Sequence, residues 1–250
     1  MDNKRFPYLF FLLILAGTFC FSIVQIPTEE LSKEKYTYEA SPKGKEKTKN
    51  EIIEMEFVHS SEQTMCNQRI LRPDGKEVIE IEMLPDGSFL SGTKYFMNEH
   101  GKTIRTVRIV RENGMVSVER HLEEKTERKD IKLPSDKILA VDASLLVLMR
   151  NFPFDQGIQW DVFMVDFSRQ SVSVSVRQAG VEKVIVPSGE FECYRMEVVV
   201  KVFIFRPKII FWITKTPPHF LVKHTGKRGP FTPEYITSLV SRYSALADVN

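Results

Sequence analysis

Residues 65–122 read MCNQRILRPDGKEVIEIEMLPDGSFLSGTKYFMNEHGKTIRTVRIVRENGMVSVERHL. Asp74-Gly75, Asp86-Gly87, His100-Gly101 and Asn113-Gly114 recur about a dozen residues apart, and the runs between them are rich in β-branched and aromatic side chains. Asp-Gly and Asn-Gly suit the primed two-residue turns, whose central residues need positive φ and whose twist matches antiparallel strands. The spacing predicts a β-meander with strands near Met65–Leu71, Val78–Leu84, Phe89–Phe96, Thr103–Val110 and Met115–Leu122. Within it Glu80, Glu82 and Asp86 stand opposite Ile79, Ile81 and Met83 in alternation, so these carboxylates read as the wet face of a hairpin.

Farther along, Val172, Val174 and Val176 interleave with Ser171, Ser173 and Ser175, the period of a half-buried strand. Around Trp160–Phe167 and Arg195–Phe205 apolar residues occupy both parities, which predicts cover on both faces. A short helix over Ala143–Arg150, capped by Asp142, is one candidate for that cover. A second layer of sheet or a bound ligand is another.

The stretch Val186-Pro187-Ser188-Gly189-Glu190-Phe191-Glu192-Cys193-Tyr194-Arg195 is followed by Phe211-Trp212-Ile213-Thr214, Pro218 and the run Phe220–Lys223. Upstream stand Asp142-Ala143-Ser144, Phe152-Pro153-Phe154 and Gly157. Over about Phe57 to Ser244 this succession resembles an exported bacterial family called domain of unknown function 3108. The resemblance implies a mainly β fold: a single curved antiparallel sheet, a half-barrel or open barrel with one short helix, broadly similar to lipoprotein carriers and receptors of the bacterial envelope. It implies no activity, and the residues that carry it are structural in type: Gly189 makes a turn, Pro187 ends a strand and Trp212 offers a large area to bury.

Ahead of the β-rich region, Lys4 and Arg5 precede an uncharged apolar run, Phe6–Val24, closed by Gln25 and Pro27. Its length lies between that of a secretory signal and that of a spanning helix, so residues 1–26 are expected to form either a cleaved signal peptide or an apolar helical anchor. Both place the rest of the chain in the periplasm or cell envelope, and the second tethers it to the inner membrane by residues 6–24. Residues 27–55, rich in Lys and Glu, are expected to be a charged flexible linker, residues 56–244 the β-rich domain and residues 245–250 a tail.

A formal charge of +2 with no basic helix gives no sign of a nucleic-acid partner. No Cys-x-x-Cys pair, zinc-ligand spacing, phosphate loop or Gly-x-Ser-x-Gly elbow is present, so no enzyme, metal or cofactor is expected. His219 and His224 fall five apart in an expected strand and so face opposite sides. Cys66 and Cys193, beyond the export segment, can either pair as a disulfide or stay as buried thiols on separate strands. Two functions remain. One is a non-enzymatic envelope protein that holds a lipid or a hydrophobic polypeptide in the concavity of its sheet through Trp160, Met164, Phe203, Phe205 and Trp212. The other is a membrane-tethered structural or assembly protein with no ligand cavity and contacts on loops such as Gly226–Pro233.

Overall fold

Tyr36, Tyr38 and Ala40 alternate with Lys35, Thr37 and Glu39, and the three apolar residues are buried. The computed structural model, which describes residues 32–44, 50–201, 206–227 and 233–245, accordingly places a strand here, β1 (Ser32–Pro42). Within the expected linker over 27–55, the described residues 32–44 and 50–55 are thus corrected, and 27–31 and 45–49 lie outside the described residues. Lysines and glutamates dominate the composition but occupy mainly the outer face, where Lys33 and Lys35 pair with Glu56, while the tyrosines supply the apolar burial that orders the segment.

From β1 the chain runs outward as a meander through β2 (Glu51–His59), β3 (Thr64–Arg72), β4 (Gly75–Met83), β5 (Phe89–Met97), β6 (Thr103–Glu112), β7 (Met115–Leu122) and β8 (Lys125–Lys132). It then continues through β9 (Ile138–Ala140), α1 (Ser144–Arg150), β10 (Gln159–Val165), β11 (Ser171–Val186), β12 (Gly189–Lys201), β13 (Lys208–Thr214), β14 (Leu221–Lys227) and β15 (Glu234–Ala245). The first and last of these strands pair with each other, so one fifteen-stranded sheet has β1 and β15 at its middle and β8 and β9 at its two edges. Among the described residues all pairings are antiparallel except β9 with β10. The sheet is curved and open. Flat, it would hold its edge strands roughly 65 Å apart at about 4.8 Å per strand, yet inner residues of both arms share one buried cluster, from Ile81 and Ile109 to Val165 and Leu239. Lys129 donates to the Arg169 carbonyl oxygen at 2.9 Å and Arg169 pairs with Glu127 at 2.8 Å, drawing edge strand β8 to the β10–β11 turn.

The expected strands of the meander are all present, but the turns differ. Only Asn113-Gly114 forms a two-residue turn with both φ values positive, 48° and 74°. The β3–β4 turn is centred on Pro73-Asp74, because Arg72 pairs directly with Gly75. Asp86 and Asn98 instead close longer loops by accepting backbone N–H groups from Ser88 and from His100 and Lys102.

Helix α1 fills part of the concavity between the arms. Ala143 and Val147 pack toward the larger cluster, whereas Leu145, Leu148 and Met149 join Phe152, Val162, Val174, Val176, Met196 and Val198 in a second one. This explains why β10 is apolar on both parities: Val162 faces the second cluster and Val165 the first. The other face of β12 is covered differently, by Arg177, Arg195 and Lys208 paired with buried Glu197. Asp142 does not cap α1, which has no side-chain cap; it adopts φ 45° in the preceding turn, while Ser144 Oγ accepts from Val141 N at 2.7 Å. Gly87, at φ +87°, lets the β4–β5 loop touch the helix, since a Cβ there would lie 2.7 Å from Leu148 N. Arg150 at the end of α1 donates to Glu34 on β1 at 2.7 Å.

Cys66 on β3 and Cys193 on β12 are buried free thiols. Burial pushes the Cys193 thiol up to about 12 and that of Cys66 higher still. His219 lies before β14 at φ 58°, not within the strand, and its Nδ1 meets the Thr214 carbonyl oxygen at 2.9 Å. The export segment 1–26 lies outside the described residues. So do 246–250 of the tail and 228–232 of the Gly226–Pro233 loop, whereas Ala245 closes β15.

Candidate functional site

Of the residues expected to line an apolar concavity, the three described ones divide between two clusters. Trp160 and Met164 pack at the margin of the cluster that α1 covers, with the Trp160 ring edge-on to Phe152 at 4.8 Å between centroids. Trp212 packs against the other cluster, its indole N–H donating to Glu182 and Lys223 Nζ lying 5.3 Å from its ring. Phe203 and Phe205 lie outside the described residues. Leu145, Leu148 and Met149 of α1 belong to the cluster against which Trp160 and Met164 pack.

A cavity of about 360 Å³ lies elsewhere, toward the charged end of the concave face. Its origin can be followed along the strands, because directly paired residues project from the same face of a sheet. The row Ile81, Gly92, Ile109 and Val118 across β4–β7 is apolar and buried. In the next row, Ile79, Lys94, Val107 and Arg120, charge enters; in the one after, Glu77, Phe96 and Arg105, it dominates. Lys94, Phe96, Arg105, Val107 and Arg120 form one wall, and Asp142 with Asp166, Phe167 and Ser168 the other. The opposing wall is set by the loop before α1 and by the β10–β11 turn.

The charges differ in how they are satisfied. Lys94 Nζ pairs with Glu77 at 2.7 Å and also lies 4.9 Å from the Phe96 ring centroid. Burial alone would raise the Glu77 pKa, but Lys94 and Arg72 outweigh it and hold the carboxyl below its ordinary value. Asp166 Oδ1 accepts N–H groups from Ser168 and Gln170 and so shapes its own turn. Asp142 keeps accessible surface on the cavity while protein surrounds it, and burial raises its pKa against the opposing pull of Lys94. The Arg105 guanidinium carbon sits 3.5 Å from the Phe96 ring centroid. The Nε atoms of Arg105 and Arg120 are buried without a hydrogen-bond partner. Lys94, Arg105, Arg120 and Asp142 were not expected as site residues. For Lys94, Arg105 and Arg120 the signal was a charge on the buried parity of a strand, as Arg105 precedes Val107 and Ile109 and Arg120 follows Val116 and Val118, whereas Asp142 lies in the turn before α1.

A family described as "Protein of unknown function (DUF3108)" matches residues 94–228, from Lys94 in the cavity wall to the end of the described β14 and beyond. The chain belongs to this family. Among solved structures, a candidate lipoprotein from Parabacteroides distasonis ATCC 8503 is similar at 10% identity over 86% of this chain and 97% of its own, with a TM-score of 0.32. A candidate exported protein with a YmcC-like fold from Bacteroides fragilis NCTC 9343 is similar at 14% identity over 86% and 96%, also with a TM-score of 0.32. No curated protein matches the chain by sequence. Among the described residues no group of three or more His, Cys, Asp or Glu side chains is placed to hold a metal ion, and no helix is long and apolar enough to cross a membrane.

Proposed function

We propose that the chain is a non-enzymatic binding protein of the cell envelope, exported by residues 1–26, that holds a small amphiphilic ligand at the charged end of its curved sheet. The observation that carries this reading is the cavity of about 360 Å³ between β5–β7 and the β10–β11 turn, which joins apolar wall (Phe96, Val107, Phe167) to polar wall. Its volume lies in the range of small-molecule sites, about 300–1,000 Å³, and its lining is more charged than the mainly apolar form such sites usually take, which favours a ligand that itself carries charge. A lipid chain seated along Trp160, Met164 and Trp212 is not favoured, because the first two pack against the cluster that holds α1 and Trp212 packs against the other.

That same packing supports a second reading, a tethered assembly protein whose apolar concavity is filled by its own helix. Native mass spectrometry of the full chain purified from its own host separates the two. A co-purifying small-molecule adduct supports the binding protein, and a bare chain under conditions that preserve non-covalent complexes supports the assembly role.

A further inference from the structure

A charged side chain on the buried parity of a strand is stable when it ends in a partner, because desolvation of an unpaired polar group is otherwise uncompensated. Lys94 obeys this rule through Glu77. Arg105 and Arg120 do not: each has a buried Nε without a hydrogen-bond partner, and no ion pair among the described residues engages either guanidinium. Of the acids nearby, three are engaged elsewhere and one, Asp142, stands across the cavity from the arginines. Glu127, directly opposite Arg120, pairs with Arg169 at 2.8 Å and Lys125 at 2.7 Å. Asp166 is held in its turn, and Glu77 is shared by Lys94 and Arg72. Asp142 faces the same cavity without an ion pair.

Arg120 pairs with Val107, two residues along β6 from Arg105, so the two arginines are diagonal neighbours on one face. Such positions lie roughly 7–8 Å apart at the backbone, close enough for two long side chains to converge on one group. Burial and then the nearby charge of Arg120 lower the Arg105 pKa, with Glu77 pulling the other way. An anion between them would relieve that repulsion. Contact with Phe96 also orients Arg105: a guanidinium against an aromatic ring keeps its in-plane N–H fork free. A carboxylate, with two oxygens, satisfies one such fork, whereas a phosphate has enough oxygens to serve two.

We propose that Arg105 and Arg120 together grip a phosphate group borne by an amphiphile whose adjoining apolar part lies against Phe96 and Phe167. The cavity, about 360 Å³, lies in the range of sites for whole small molecules and so leaves room for that apolar part beside the phosphate. This rests on the reading of the chain as a binding protein and specifies its ligand class.

The test is calorimetric titration of the full chain with inorganic phosphate, with dihexanoyl phosphatidylglycerol below its micellar concentration and with decanoate. The phospholipid is expected to bind more tightly than either other probe, and Arg105→Gln and Arg120→Gln each to weaken it roughly tenfold to a hundredfold, as loss of a charged hydrogen-bond donor does. Circular dichroism shows whether each variant is folded, and Arg105→Lys, which keeps the charge but not the fork, is expected to bind with intermediate affinity. Equal affinity for phosphate and phospholipid, lost in both Gln variants, upholds the grip and assigns it to a free anion, overturning the apolar contact. Decanoate binding as tightly as the phospholipid, or variants binding like the wild type, overturns the phosphate grip while leaving a binding protein. No binding of any probe also overturns it, and the fate of the binding-protein reading is then decided by the co-purified adduct.

Discussion

Glu34→Gln should lower stability by an amount that depends on pH in a calculable way. Glu34 is 7% exposed and faces three groups: Arg150 Nη1 at 2.7 Å, the Tyr36 hydroxyl at 2.8 Å and His59 Nε2 at 3.8 Å. Burial alone would raise its pKa, but His59, Arg150 and Tyr36 outweigh that and lower it from 4.5 to about 2. A depressed carboxylate contributes stability that is fully present above its unfolded value and is lost as pH falls through the folded one. At about 1.4 kcal/mol per pKa unit the contribution is about 3 kcal/mol at pH 7, and linkage reduces it to about 1.5 kcal/mol at pH 3. The glutamine keeps an acceptor but not the charge, so it leaves the Arg150 guanidinium sheltered without a counter-ion, a loss of about 3–5 kcal/mol where buried pairs have been broken. Urea unfolding of the wild type and the variant, followed by circular dichroism at pH 7, 4 and 3, measures the gap; shifts from other carboxylates cancel in the difference. The gap should shrink by about half between pH 7 and pH 3. A gap that stays constant across this range would refute the reasoning, because the loss would then come from packing and not from charge.

Gly87→Ala places a Cβ 2.7 Å from Leu148 N at φ +87°, so it should cost about 1–3 kcal/mol by displacing the β4–β5 loop from α1, seen as a lower urea midpoint. Met149→Ala, at a fully buried position under the concave face, should cost about 2–5 kcal/mol by the same measurement. In a Cys20→Ser chain, Cys66 and Cys193 should resist a thiol reagent until the protein is denatured, and a reductant should leave its melting temperature unchanged; rapid labelling of the native protein would contradict their burial. Detection of the intact peptide 1–26 in the membrane fraction is expected if the export segment is retained as an anchor, and its absence together with a mature terminus at residue 19 or 23 if it is cleaved after Thr18 or Ser22.

Much of the fold was legible because a period of two survives in the meander: Ile79, Ile81 and Met83 announce β4 whatever the turn chemistry beside it. Turn pairs located the hairpins better than they described them, since Pro73 fixes its own φ and moves the β3–β4 turn one residue back from Asp74-Gly75. Strand β1 was missed for a compositional reason. The lysines and glutamates around Tyr36, Tyr38 and Ala40 make the average look solvated, although the alternation of those three residues is the stronger signal. The cavity was hidden by ambiguous parity. In β6, Ile104 and Val110 are apolar on the opposite parity to Val107 and Ile109, so Arg105 cannot be assigned to the inner face without the pairing register. Trp160 and Met164 share the parity of Val162, which packs in one cluster with Leu145, Leu148 and Met149 of α1, so helix cover accounts for that parity of the doubly apolar β10 pattern.

The central claim, that the binding surface is the charged cavity and not the apolar face under α1, is tested most directly by NMR of the full chain titrated with dihexanoyl phosphatidylglycerol. The Nε–H signals of Arg105 and Arg120 are expected to shift while the Trp160 indole and the Met164 methyl signals stay in place. Movement of Trp160 and Met164 with the two arginine signals unchanged would contradict it.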